Sequence, residues 1–251
     1  MKKLILHIPH SSVIMPLLDG YIQDVDKIHN ELIKLTDWYT DELFYSESDS
    51  MIIAPFSRIF CDVERFENDK DEIMSKVGMG ALYESFDDGS ILRKVSPDLR
   101  SEIIKDYYWK HHNALLEEVN KQLKNDGSCL IVDCHSYPSK PLIRDLDQTA
   151  GRPDFNIGTD KYHTPQNLID SSIAYFEQRG FSIGVDWPYK GTIVPLAHYQ
   201  KNKKVNSIML EVNRELYLIE PSNEKSEKYN ETKKIVAGFI EMIKDEIEIT
   251  Q

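Results

Sequence analysis

Leu4 to Ser12 reads LILHIPHSS, Cys129 to Ser136 reads CLIVDCHS, and Ser207 to Tyr217 reads SIMLEVNRELY. Each is a short apolar run that ends in a burst of polar or ionisable residues. Strands buried on both faces read as continuous apolar stretches, and open α/β sheets bind ligands beyond the carboxyl ends of those strands. Histidine, aspartate and glutamate at three such ends can converge on one point although they lie far apart in sequence. That set of residue types suggests a hydrolytic metal site.

Working outward, further strand-like runs fall at Met51–Ala54, Phe155–Ile157 and Ser182–Val185, beside Leu4–Ile8, Leu130–Asp133 and Ile208–Val212. Helical spacing fills the gaps. Ile22, Val25, Ile28, Leu32 and Leu35 lead into TDWYTDELF, so residues 22–45 read as helical. Residues 97–125 form the clearest helix, with Ser96 as N-cap, Pro97 in the first position and Gly127 as the stop. Thr164-Pro165 opens another helix that Gly180 closes. A last one, over 224–247, carries Ile235, Val236, Phe239, Ile240, Ile243 and Ile247 as its buried stripe. Strands alternating with helices predict an α/β fold, a mixed, largely parallel sheet covered on both faces. With no repeat and no Pro/Gly-rich linker, residues 1–251 read as one domain. Residues 64–95 stand apart: dense in charge, weakly periodic, either a solvated insertion or a lid.

The 251 residues are enough to bury a substantial core, and 41% hydrophobic with 29% charged content is that of a soluble globular chain. A formal net charge of -12 argues against a nucleic-acid or anionic-membrane binder. It leaves room for a small anionic substrate held by a few arginines. Cys61, Cys129 and Cys134 are too few for a disulfide framework and read as buried thiols. The opening MKKLILHIPH is too short for a secretory signal, and no run reaches the ~20 apolar residues of a spanning helix. A cytoplasmic protein is the expectation.

His10 follows Pro9 at the end of the first strand and is a candidate metal ligand, whereas His7, inside the apolar run, fits a structural role better. Asp133 and His135 are two apart on an extended chain and address one side together. Asp133 is either a direct ligand or the carboxylate that orients a metal-bound imidazole. Catalytic zinc takes three protein ligands and keeps one position open. Asp37 is the candidate third ligand; otherwise it is a helix-surface acid, as Asp41 and Glu42 are expected to be. Glu211 lies in an apolar strand, where burial raises its pKa towards the range useful for proton transfer. It is either a general base or half of a buried ion pair. Arg58, Arg65 and Arg214 can fork onto carboxylates, which suggests an acidic substrate, or can pair with Asp62 and Glu64.

Taken in order, HIPHSS, TDWYTDELF, SRIFCDVERF, DCHS, PYKGTIVP and EVNRELY resemble the N-formylglutamate amidohydrolase family over nearly the whole chain. That resemblance implies a three-layer αβα, phosphorylase/hydrolase-like fold similar to zinc carboxypeptidases. It implies one zinc ion on His10, Asp37 and His135, with Glu211 as general base and Arg58 on the oxyanion. Arg58, Arg65, Asn213 and Arg214 would bind substrate, with Tyr189 and Lys190 at the rim. The implied reaction is hydrolysis of N-formyl-L-glutamate to formate and glutamate, the last step of one histidine-degradation route. Two positions depart from the family pattern: Ser12 where glycine is frequent, and Glu64 where asparagine is frequent. The alternatives are an amidohydrolase acting on another N-acyl amino acid or small peptide, and a non-catalytic protein that captures an acidic ligand.

Overall fold

The computed structural model describes residues 3–249, with side chains as far as residue 246, so the Ile247 side chain predicted to extend the last apolar stripe lies outside the described residues. The predicted strand runs all form strands: β1 Ile5–Ile8, β2 Ser50–Ile53, β3 Cys129–Tyr137, β4 Phe155–Gly158, β5 Ile183–Val185 and β6 Val205–Asn213. They make one six-stranded sheet in the order β2-β1-β3-β6-β4-β5. Neighbours β2, β1, β3 and β6 run parallel, and β4 pairs antiparallel with β6 and parallel with β5. The sheet is mixed and mostly parallel, as the alternation of strands and helices predicts.

Helices cover both faces: α1 Val25–Leu35, α2 Thr40–Leu43, α3 Pro97–Ile103, α4 Trp109–Asp126, α5 Gln166–Glu177 and α6 Tyr229–Ile249. Leu6, Ile8, Val132, Cys134, Ile208 and Leu210 point to the side of α2, α5 and α6, where Leu43, Phe176, Phe239 and Ile243 complete the main core. The alternate residues Ile5, Ile131 and Val205 point to the side of α4 and pack on Leu115 and Val119. Among the described residues no helix is long and apolar enough to cross a membrane. All three cysteines are free and buried.

Two predicted helices are interrupted. The 22–45 stretch breaks at Thr36, whose ψ of 134° is extended, into α1 and α2. The break is anchored where the Asp37 N–H donates to the His10 carbonyl at 3.0 Å. Residues 97–126 run through a π-helical turn at Ile104–Tyr108 between α3 and α4. The predicted ends are found: Ser96 Oγ accepts from the Leu99 N–H, Pro97 takes the first position, and Gly127 adopts φ 75°. The last helix starts later than its spacing suggests, at Tyr229.

Within residues 64–95, the stretch 66–71 is exposed, whereas much of 72–93 packs onto the body of the protein. A 3-10 turn at Ile73–Val77 and short bridges bring Met74, Met79, Tyr83, Phe86 and Leu92 against Tyr21, Leu35 and Ile59. Arg93 is buried beneath them. Its guanidinium donates to the Tyr83 and Phe60 carbonyls at 2.8 and 2.7 Å and lies 4.8 Å from the Tyr21 ring centre. A buried cation held by two backbone acceptors ties this segment to the body of the protein.

Candidate active site

On the α4 side of the sheet the strands change character along their length. Ile5 is followed on that side by His7, Ile131 by Asp133 and His135, and Val205 by Ser207, Met209 and Glu211. Strand period 2 keeps each series on one face. The register sets His7 beside Asp133 and His135 beside Glu211. The amino-terminal half of this face therefore buries hydrocarbon, and the carboxyl-terminal half presents ionisable groups.

His10, just past the end of β1, and Asp37, in the break after α1, complete a buried triad with His135. Their ligand atoms lie within 4.8 Å of one another. His135 Nδ1 is 3.2 Å and His10 Nδ1 3.7 Å from Asp37 Oδ2. Asp37 Oδ1 is turned away and accepts from Arg214 Nη2 at 2.9 Å. Burial by itself would raise the Asp37 carboxyl. The nearby imidazoles of His10 and His135 and the Arg214 guanidinium overcome that and hold it well below the ordinary carboxylate range.

Each imidazole is backed by a carboxylate on its far nitrogen. His10 Nε2 donates to Asp62 Oδ1 at 2.8 Å, and His135 Nε2 to Asp133 Oδ1 at 3.0 Å. Both Nδ1 atoms are thereby left to face Asp37. His10 Nδ1 is buried and makes no hydrogen bond among the described residues. Two inward nitrogens, one carboxylate oxygen and two outer carboxylates fit a divalent cation, since metal-bound histidines commonly carry such partners. This group could hold a metal ion.

Glu211 projects next to the triad. Its Oε2 is buried without a hydrogen-bond partner, and no arginine forms an ion pair with it among the described residues. Burial pushes its pKa up to about 7, with Asp37 adding to the rise and His135 opposing it. A carboxyl poised there can both accept and release a proton near neutrality.

The triad and Glu211 open onto a cavity of about 220 Å³ whose wall includes Arg58, Arg65, Arg144, Tyr189, Lys190 and Arg214. Met74, Met79 and Tyr83 add wall from the 64–95 segment. Arg58 spends Nε and Nη2 on Asp62 Oδ2, at 3.3 and 3.0 Å, and its Nη1 is 3.9 Å from Asp37 Oδ1. Arg65 Nε stands 3.6 Å from Asp62 Oδ2. Each nitrogen of the Arg214 guanidinium donates a hydrogen bond, with Ser136 Oγ, Lys34 O and Asp37 as acceptors.

His10, Asp37, His135, Glu211, Arg58, Arg65, Arg214, Tyr189 and Lys190 all reach this one cavity. Asn213 does not line it: its amide donates to Pro153 O at 3.0 Å and its Oδ1 accepts from the Glu215 N–H. Asp41 and Glu42 lie partly exposed on α2, as surface acids do. Sequence reasoning foresaw Asp62 only as an arginine's partner, which it is for Arg58, and missed that it backs His10. It holds His10, Arg58, the Tyr83 hydroxyl at 2.7 Å and the Glu64 N–H at 3.0 Å. The available signal was an aspartate inside IFCDV, an apolar context where an unpaired carboxylate is costly. Arg144, on the cavity wall, was also missed; nothing in its own segment marks it.

The family described as N-formylglutamate amidohydrolase matches residues 2–218. Among solved structures, an N-formylglutamate amidohydrolase from Ralstonia eutropha JMP134 superposes with TM-score 0.86 at 20% identity, covering 100% of this chain and 96% of that one. A gene product of Agrobacterium tumefaciens superposes with TM-score 0.64 at 14% identity, covering 99% and 91%. At these identities the structural likeness speaks for the fold. None of the curated proteins compared with the chain matches it.

Proposed function

The chain belongs to the N-formylglutamate amidohydrolase family, and is an amidohydrolase by that membership; on this premise we propose a zinc-dependent enzyme that hydrolyses N-formyl-L-glutamate to formate and L-glutamate. The observation that carries this reading is Glu211, buried and unpaired beside the His10–Asp37–His135 group, in a cavity walled by arginines. Residues 1–251 act as one domain, with 64–95 roofing the cavity. The cytoplasm and a histidine-degradation route are the setting that the family resemblance and the free thiols favour.

His10, Asp37 and His135 would hold the cation. When bound, it supplies Lewis-acid polarisation of the amide carbonyl and makes water more acidic. Glu211 removes a proton from the attacking water as the oxygen adds to the formyl carbon. Arg58 offers Nη1 to the developing oxyanion. Glu211 then delivers that proton to the amide nitrogen as the C–N bond breaks, and the second proton of the water passes from the nascent formic acid to the amine, leaving formate and the ammonium form of glutamate. Arg65, Arg144 and Lys190 receive the substrate carboxylates. Arg214, with its donors committed, positions Asp37.

Formate release across a panel of N-formyl amino acids tests the substrate. A carboxylate held by a charge-assisted hydrogen bond is worth roughly 1.5–3 kcal/mol, or about 10- to 150-fold. N-formyl-L-glutamate should therefore exceed N-formyl-L-alanine in kcat/KM by at least about tenfold. Equal values would remove the arginine anchors from the reading. Glu64 on the cavity wall favours a second reading, another N-acyl amino acid; a better N-acyl substrate in the same panel would establish it.

Asp62 carries a separate expectation. Burial opposes its ionisation, but Arg58 and His10 hold its pKa well below the ordinary value, so it stays charged behind His10. Asp62→Asn should weaken metal binding by about 10- to 100-fold, the usual cost of removing such a partner. Isothermal titration of the metal-stripped variant with Zn²⁺ reads this directly. Unchanged affinity in a folded variant would show that His10 needs no orienting carboxylate.

A further inference from the structure

We propose that His7, Glu64 and Asp133 form a second divalent-cation site, lying behind the His10–Asp37–His135 group. One ligand atom from each residue lies within 4.8 Å of the other two. His7 Nδ1 is 2.8 Å from Asp133 Oδ1 and 3.2 Å from Glu64 Oε1. A ring nitrogen carries at most one hydrogen, so it cannot serve both carboxylates fully. Glu64 Oε1 is indeed buried without a hydrogen bond among the described residues. Asp133 has no freedom to turn away, because its Oδ2 accepts from the Ile193 N–H at 3.0 Å.

Two carboxylates facing one buried imidazole nitrogen leave excess negative charge beside a group that has one hydrogen at most to offer. One proton removes half of that excess; one divalent cation removes all of it and gives Glu64 Oε1 a partner. The imidazole is already aimed. His7 Nε2 lies 2.8 Å from His111 Nε2 on α4, so a hydrogen held on Nε2 leaves the Nδ1 lone pair facing both carboxylates. One imidazole nitrogen with two carboxylate oxygens suits Zn²⁺ or Mn²⁺.

The placement also suggests what the ion does. His7 and Asp133 are register partners on β1 and β3, and Glu64 opens the 64–95 segment. A cation here would fasten that segment to the sheet. It also accounts for Glu64, whose Oε1 faces His7. The inference is independent of which N-acyl amino acid is cleaved. Among the described residues the direct hydrogen bond between the two groups is that of His135 Nε2 with Asp133 Oδ1.

The test is a metal count on the full chain, stripped with chelator, re-equilibrated with Zn²⁺ alone and measured by elemental analysis. Two zinc ions per chain are expected for wild type, one for Glu64→Gln, and one for His10→Ala, with far-UV circular dichroism confirming the fold. A single zinc in wild type that is lost in His10→Ala overturns the proposal, as does a full wild-type count that survives Glu64→Gln. Should the glutamine variant not fold, Glu64→Asn, the residue type frequent in the family, replaces it with the same expected loss of one equivalent. The catalytic reading fails separately, if His10→Ala keeps every equivalent that wild type binds.

Discussion

Glu211→Gln should bind as much metal as wild type and turn over N-formyl-L-glutamate about 10²- to 10⁴-fold more slowly, the range that a positioned acid–base group contributes. The amide keeps the shape of the side chain and its place on β6 opposite His135. It removes the one property the mechanism needs, a carboxyl whose pKa burial has pushed up to about 7. The change also relieves a buried carboxylate with an unpaired oxygen. The variant should thus be at least as stable as wild type, which separates lost chemistry from lost folding. Turnover by formate release and bound metal by elemental analysis are measured on one preparation. Near-normal turnover with the metal retained would discard Glu211 as the base.

His135→Ala should lose one equivalent of bound cation and, with it, activity by more than about three orders of magnitude, since cation and polarised carbonyl go together. His135 is the hinge of the constellation. Its Nδ1 meets Asp37 at 3.2 Å and its Nε2 meets Asp133 at 3.0 Å. Removing the ring takes away one of three candidate ligands and leaves both carboxylates short of a partner. Asp37 keeps Arg214, and Asp133 keeps His7 and the Ile193 N–H. The protein should therefore still fold, with a lowered melting temperature. A variant that kept its full metal content would place the cation elsewhere. Recovery of activity on adding excess Zn²⁺ would mean that two ligands suffice.

Much of the architecture was legible because its signals are local. Apolar runs of strand length marked all six strands, and Ser96-Pro97 and Gly127 marked the ends of one long helical stretch. The errors have physical causes. Reading a strand to its last apolar residue stopped β3 at Asp133, yet the ladder continues to the Tyr137–Asn213 pair because backbone hydrogen bonding does not depend on side-chain polarity. The 22–45 stretch keeps helical spacing across Thr36, but tertiary contact with the His10 carbonyl breaks it there. Asn213 was expected to bind substrate, but its side-chain oxygen accepts from the Glu215 N–H and closes the turn after β6.

The chain's own order of residues determined the strands, the faces that bury hydrocarbon, and the histidines and acids waiting at the strand ends. Those properties follow from period and polarity, which any few neighbouring residues carry. Only the tertiary structure decided that His10 leans on Asp62, that Arg214 grips Asp37, and that Glu64 turns to His7. Each of these pairs joins residues about 50 or more positions apart, and their meeting depends on laying β1, β3 and β6 side by side in parallel. Hydrogen-bond partners and the free face of each imidazole are fixed by that layout, because a side chain's remaining valence depends on what the folded neighbours have already taken.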